Sequence, residues 1–210
     1  MKTSQIFLCC VFLIALFSQC NKRLVAGRQA PLFNTIAIDK SEIDLLQFRG
    51  RKVLLSFMRS AGCPVCNLHT HTLYGYTDSL KAIGVEVLMI YQSSTAVLTH
   101  YIEQDERDWR FRFVADTSRL LYNQYHVKPS SFGFLSSSWR GALRKRKAGL
   151  KLYKTTVPPA EGKRGILGAD FLLDEQGVLI KVNYCRYVGD HLPPATIYKI
   201  FKADTLKKMP

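Results

Sequence analysis

At 210 residues, with 47% hydrophobic and 22% charged, the chain has the size of one domain with an ordinary buried core. Lys and Arg number 30 against 16 Asp and Glu, a formal charge of +14 that suits anionic lipid, polyanions or acidic proteins as partners. No zinc-knuckle spacing, helix-turn-helix signature or interleaved aromatic–basic motif accompanies that charge, so nucleic acid is set aside.

Met1 and Lys2 precede Ile6 to Phe17, an unbroken apolar run that includes Cys9 and Cys10. It is too short for a bilayer span and fits the apolar core of a secretory signal. Leu16-Phe17-Ser18-Gln19-Cys20 then resembles the bacterial lipobox, in which the cysteine becomes the lipidated first residue of the mature chain. Gln19 departs from the small residue that motif uses. Residues 1–19 therefore read as a signal peptide and 20–28 as a polar tether. The product is expected to be exported to the bacterial cell envelope as a membrane-anchored lipoprotein on the periplasmic side. Ordinary cleavage nearby and a retained anchor are the alternatives. Cys63, Cys66 and Cys185 are then the thiols left to the folded domain.

That domain is expected over 29–207. Ile36-Ala37-Ile38 reads as a strand, and Ser41 as the cap of a short helix reaching Phe48. Val53 to Phe57 is an apolar run of buried-strand type. Arg59-Ser60-Ala61-Gly62-Cys63-Pro64-Val65-Cys66 follows, and Val65, Leu68, Tyr76, Leu80 and Ile83 then recur at roughly helical spacing, with Gly75 a weak point. Two cysteines where a strand gives way to a helix make a reactive-thiol arrangement. The helix start offers unpaired N–H groups and the positive end of the dipole, and both favour a thiolate. Two intervening residues let the sulfurs meet across one turn, so a disulfide can form and reopen there.

Val85 to Tyr91 is a second buried strand, with Ser93 or Ser94 capping a helix that carries Val97, Leu98, Tyr101 and Ile102 on one face. Phe111 to Val114 is a short strand, and Ser118 to Tyr125 a helix stopped at Pro129. From about 130 to 164 the pattern weakens into an insertion. Arg140 to Lys154 is strongly basic and reads as a solvated face or loop, or as an amphipathic helix lying on an anionic membrane surface. Ala169 to Asp174 and Val178 to Val182 flank a tight turn as an antiparallel hairpin, and Ala195 to Lys207 closes the chain as a helix. Cys185 reads as a core or sheet thiol beside that hairpin, with a resolving cysteine as the alternative. The order, β, then βαβα, then ββα, implies a central mixed sheet with helices on both faces, a thioredoxin-like α/β fold.

Several segments resemble the peroxiredoxin-like branch of the thioredoxin superfamily, the alkyl hydroperoxide reductase/thiol-specific antioxidant group. They are Gln29-Ala-Pro-Leu-Phe33, the entry to the strand at 48–57, Phe113-Val-Ala-Asp-Thr-Ser-Arg119, Gly168 to Gly177, and Gly189-Asp-His-Leu-Pro193. The resemblance implies a thiol-based oxidoreductase that reduces peroxide and is recharged by a thioredoxin-type or other thiol reductant. It implies no cofactor beyond a redox-active Cys63–Cys66 disulfide. The family site reads Pro-x-x-x-Thr-x-x-Cys. Cys66 takes the last position if Cys63 replaces Thr and Arg59 replaces Pro; Cys63 takes it if Ser60 supplies the hydroxyl. Thioredoxins use the first cysteine of the pair, which favours Cys63. Gly168 stands where thioredoxins place a cis-proline, and His126 where the family tends to have Gly.

Arg59, Ser60, Arg119 and His69 are the candidates for stabilising a thiolate, because a nearby cation or donor lowers a thiol pKa. His69 and His71 otherwise read as helix-surface residues. Two further readings compete with peroxide reduction. One is an exported thiol–disulfide oxidoreductase acting on protein disulfides. The other is a metal-binding module resembling the copper-delivering Sco proteins, with His191 available, although those use three residues between the cysteines and this chain has two. A structural zinc site would need a second ligand pair, so no metal is assigned. The export reading predicts a mature chain that begins at lipidated Cys20. Intact mass of membrane-extracted protein checks it, and an unmodified mass beginning at Met1 excludes it.

Overall fold

The computed structural model describes residues 23–103, 110–153 and 161–207; the signal segment and Cys20 lie outside them. β1 (Asn34–Ile36) and β2 (Glu42–Asp44) form a small antiparallel pair. The main sheet holds β3 (Lys52–Phe57), β4 (Val85–Tyr91), β5 (Arg112–Ala115), β6 (Ala169–Leu173) and β7 (Leu179–Tyr184), in the order β5-β4-β3-β6-β7. β3, β4 and β5 run parallel, while β6 pairs antiparallel with both β3 and β7. Helical crossovers impose the first arrangement and the tight turn after Asp174 the second. This is the mixed sheet that the order of elements implied.

β3 is buried along its whole length because both its faces are covered. Leu54 points to one core with Val87 and Met89, closed by Leu73, Leu80, Leu98, Ile197 and Phe201 of the helices on that side. Val53, Leu55 and Phe57 point to the other with Leu88, Ile90 and Phe171, closed by Leu121 and Tyr122 and by Phe33 and Phe48 of the N-terminal segment. The alternation is the period of two that a strand imposes. Phe57, Tyr122 and Phe171 meet edge to face at 5.1 to 5.6 Å, the geometry preferred by ring quadrupoles.

Helices α1 (Pro64–Tyr74) and α2 (Thr77–Ala82) are separate, the chain breaking at Gly75. α3 (Thr95–Glu103) is started by Ser94, whose hydroxyl accepts from Val97 N at 3.4 Å. α4 (Leu120–Gln124) is held by Asp116, whose carboxylate accepts from the N–H groups of Leu120, Leu121 and Tyr122. α7 (Pro194–Lys207) closes the chain.

Three expectations are corrected. The first strand is Asn34–Ile36, because Ala37 instead bridges to Val114 of β5. Ser41 does not cap a helix: its N–H and hydroxyl both donate to Asp39. The short 3₁₀ turn Leu45–Phe48 is capped by Asp44, which accepts from Leu46 N. The basic stretch is not a loop: over its described residues, which exclude Lys154, it is helical as the amphipathic reading had it, with most of its basic side chains exposed and its other face covered. α5 (Ser131–Ser136), a π turn (Ser138–Ala142) and α6 (Leu143–Tyr153) form a continuous layer, and α6 packs directly on α1.

Gly149 makes that packing possible, since a Cβ there would overlap the Pro64 carbonyl. Lys145 adds a hydrogen bond from Nζ to Gly189 O. Gly149→Ala is therefore expected to cost about 1–3 kcal/mol, as overpacking does. The chemical-denaturation midpoint should fall, and Cys63, beside Pro64, should alkylate faster as α6 is pushed off. An unchanged midpoint would show that α6 does not press on α1 in solution.

Candidate active site

Cys63 is the N-cap residue of α1, Pro64 is its first helical residue, and Cys66 lies in the first turn. Proline suits that first position because its missing N–H would have had no partner. The loop leading in is pinned to the end of β4. Met58 N donates to Ile90 O at 2.7 Å, Gln92 N to Arg59 O at 3.1 Å, and Ala61 N to the Ser93 hydroxyl at 2.8 Å. The Tyr122 hydroxyl sits between the carbonyls of Met58 and Ile90, at 2.6 and 2.9 Å. Ser60 contributes its carbonyl, which accepts from Cys63 N at 3.0 Å.

This turn brings Arg59 back onto the first sulfur, with Nη1 3.4 Å from Cys63 Sγ. The guanidinium is held from two more sides, by Nε donating to Ile166 O at 2.9 Å and by the Phe134 ring of α5 at 5.4 Å. The Cys63 pKa is lowered to about 6, first by a hydrogen bond from the Cys66 thiol and then by the Arg59 charge and the helix-start N–H groups, against a burial effect that raises it. Cys66 is pushed well above its ordinary value, chiefly by burial and also by donating to Cys63 and facing its charge. The two thiols are thus poised apart, one as a thiolate and one as its proton-bearing partner. Cys63 lines a cavity of about 320 Å³ whose walls include Phe134, Ala142, Leu143 and Val188, with Arg59 and Arg146 as its cations.

Arg119 is not part of this group. It opens α4 in the left-handed region at φ 59°, its N–H on Asp116 O. His126 likewise adopts φ 55°, the region in which glycine carries no steric cost. His69 is not a helix-surface residue. It is half-buried, its Nε2 is sealed from solvent, and its ring stacks on His191 at 4.5 Å between centroids. His191 Nδ1 donates to Asp170 Oδ1 at 2.8 Å, and the Asp170 charge raises its pKa well above 6.5 against the effect of burial.

His69, Asp170 and His191 place three possible ligand atoms within 4.8 Å of one another. The arrangement does not converge on an ion. Imidazole lone pairs lie in the ring plane, and two rings stacked at 18° direct them side by side. All four acceptor positions of Asp170 are taken, by Ser56 Oγ, His191 Nδ1, Asn183 Nδ2 and Leu192 N. The cluster is a fully bonded buried carboxylate with an imidazolium on it. Sequence reasoning missed it, although Asp170 inside the otherwise apolar run Ala169–Leu173 was the available signal.

The AhpC/TSA family model matches residues 26–182 of the sequence. The chain belongs to the AhpC/TSA family and is a peroxiredoxin-like member of the thioredoxin superfamily. Peroxiredoxin Bcp of Escherichia coli is 30% identical over 104 residues, a stretch covering 50% of this chain and 65% of that relative. The chain thus spans a little under two-thirds of the relative's length. Among solved structures, peroxidoxin BcpB from Mycobacterium tuberculosis superposes with a TM-score of 0.59 at 13% identity, covering 86% of this chain and 98% of that one. Thiol peroxidase from Chromobacterium violaceum gives 0.59 at 14%, covering 88% and 90%. These two likenesses establish the thioredoxin-like fold.

Burial, reinforced by the charges of His191 and Lys145, lowers the His69 pKa from 6.5 to about 3. Between those values the unfolded chain binds a proton that the folded chain refuses. The His69 contribution is therefore complete above the unfolded value and is lost as pH falls towards the folded one. Asp170, also depressed, adds its loss further into acid, whereas the raised His191 loses its contribution on the alkaline side. The melting temperature should drop on going from about pH 7 to about pH 4, and His69→Gln should flatten the drop. A drop of equal size in the variant would assign acid sensitivity to other groups.

Proposed function

We propose that the chain is a thiol peroxidase in which Cys63 is the nucleophile and Cys66 the resolving thiol. The observation that carries this is the Arg59–Cys63 contact at 3.4 Å beside a sealed, protonated Cys66. The Cys63 thiolate attacks one peroxide oxygen, the O–O bond breaks, and the departing oxygen takes a proton to leave as water or alcohol. The resulting sulfenic acid is attacked by Cys66, water departs, and a Cys63–Cys66 disulfide forms. A thiol reductant then returns both sulfurs to the reduced state. Membership of the AhpC/TSA family supports the reading.

A second reading, exchange with protein disulfides, is favoured by the apolar side chains exposed on the α5–α6 layer, of which Leu143 lines the cavity. Phe132, Leu135, Trp139 and Leu143 are all exposed on the layer beside it, and Trp139 is 87% accessible. The expected setting for either activity is the periplasmic side of the envelope, with Cys20 as anchor. The exposed Arg140, Arg144 and Lys147 suit an anionic lipid surface.

Stopped-flow mixing of the reduced protein with hydrogen peroxide, set against reduction of a protein disulfide, separates the two. Cys63→Ser should lose peroxide consumption and neutral-pH alkylation together. Cys66→Ser should still react once and then accumulate a sulfenic acid that dimedone labels at Cys63. Arg59→Met should slow the attack by about tenfold at neutral pH as the thiolate fraction falls. A dimedone adduct confined to Cys66 would reverse the assignment of the two thiols. Faster reaction with the protein disulfide than with peroxide would favour the second reading.

A further inference from the structure

A second cavity, of about 370 Å³, opens on the other side of α5, with Cys185 and Gly168 in its wall. Cys185 is buried at the end of β7, and its N–H donates to Gly168 O. Behind Gly168 stands His191, with its side chain 2% exposed. A Cβ on Gly168 would lie 2.7 Å from His191 Nε2, so glycine lets that nitrogen pack against the cavity wall from behind. Among the described residues Nε2 has no hydrogen-bond partner, although it is sealed from solvent. The other ring nitrogen is fixed on Asp170, which keeps Nε2 pointed in one direction.

Arg23, Lys128, Arg140 and Arg186 line the same cavity, and no carboxylate does among the described residues. Arg186 is paired with Asp190 at 3.0 Å, while Arg23 and Arg140 lie over the rings of Tyr184 and Tyr187. A thiol and a cationic rim meet at a space of small-ligand size, with an imidazolium donor lacking an acceptor just behind its wall. Hydrogen peroxide needs no such space, and a cationic or neutral ligand gains nothing from the rim.

We propose that Cys185, His191 and Asp170 form a second thiol site, separate from Cys63 and Cys66, that takes small negatively charged disulfides and becomes S-thiolated by them. Cys185 gives up its proton to solvent, and the thiolate attacks one sulfur of the bound disulfide. A Cys185–sulfur bond forms as the ligand's S–S bond breaks. The departing half leaves as a thiolate and takes a proton from solvent, so one thiol and one disulfide give one mixed disulfide and one thiol. Burial raises the Cys185 pKa, and the His191 charge acts against that rise. The rim cations hold the ligand's carboxylates, and Asp170 acts as the positioning residue that fixes the orientation of the His191 ring.

The test uses the full-length chain carrying Cys63→Ser and Cys66→Ser, so that no adduct migrates to the redox pair. Oxidised glutathione, neutral hydroxyethyl disulfide and cationic cystamine are compared by acid quench and peptide mapping at Cys185. Glutathione should modify Cys185 about tenfold faster than cystamine at low salt, a preference that salt reduces. Arg140→Ala with Arg186→Ala should erase the preference and leave the hydroxyethyl disulfide rate unchanged. His191→Asn should slow all three reagents. Should that variant fail to fold, the arginine pair still decides the matter. No adduct on Cys185, or equal rates with the anionic and cationic disulfides, would overturn the proposal.

Discussion

The parallel β3–β4 ladder continues past the end of its strands, and the chemistry depends on that continuation. Main-chain bonds from Met58 to Ile90 and from Gln92 to Arg59 carry the pairing two residues into the loop. Ser93 then takes Ala61 N, and the Tyr122 hydroxyl donates to the carbonyls of Met58 and Ile90 on the two adjoining segments. A loop so tied has one way to reach Pro64, and along that way Arg59 points at Cys63. The charge beside the sulfur is a property of the sheet as much as of the residue. Arg59 also binds Ile166 O just ahead of β6, so elements from both sides of β3 converge on one guanidinium.

The two thiols differ in environment by no more than one helical turn. Cys63 stands at the helix boundary, where backbone donors are left over; Cys66 lies below it in the apolar core with Leu73 and Met58. The reduced form is self-consistent: the proton kept by Cys66 is the one that stabilises the charge on Cys63. When a disulfide replaces that pair the anion is gone, and Arg59 keeps only a carbonyl and an aromatic ring. The oxidised state is therefore electrostatically poorer at this point, which favours re-reduction.

Much of this was legible in residues met in order. The strand into Cys63, the helix out of it, and the closing hairpin follow from apolar period and turn residues, which are local signals. Gly75 was a visible weak point, and the helix does stop there. What stayed hidden depends on contacts between distant segments. Asp39 competes for Ser41 through a two-residue turn that propensity does not weigh against a helix cap. The basic insertion looked solvated because its charges dominate its composition, while its packing rests on Gly149, a residue with no side chain to announce it. His69 read as exposed because its partner His191 is far away in sequence, and only the register of β3 with β6 sets Asp170 beside Ser56 and under both rings. Arg119 carried the right charge, but it serves as the left-handed residue that opens α4.

Gly168 bears on how far this chain can be altered. Its φ of +104° lies in territory closed to proline, whose ring holds φ near about −65°. Thioredoxins set a proline here, so borrowing that residue would swing the chain between Leu167 and Ala169 into the Phe57 carbonyl and the His191 ring. Engineering thioredoxin-like grip on a protein substrate would thus require rebuilding the entrance of β6 and the resting place of His191 together. The backbone at one glycine sets this chain apart from thioredoxins.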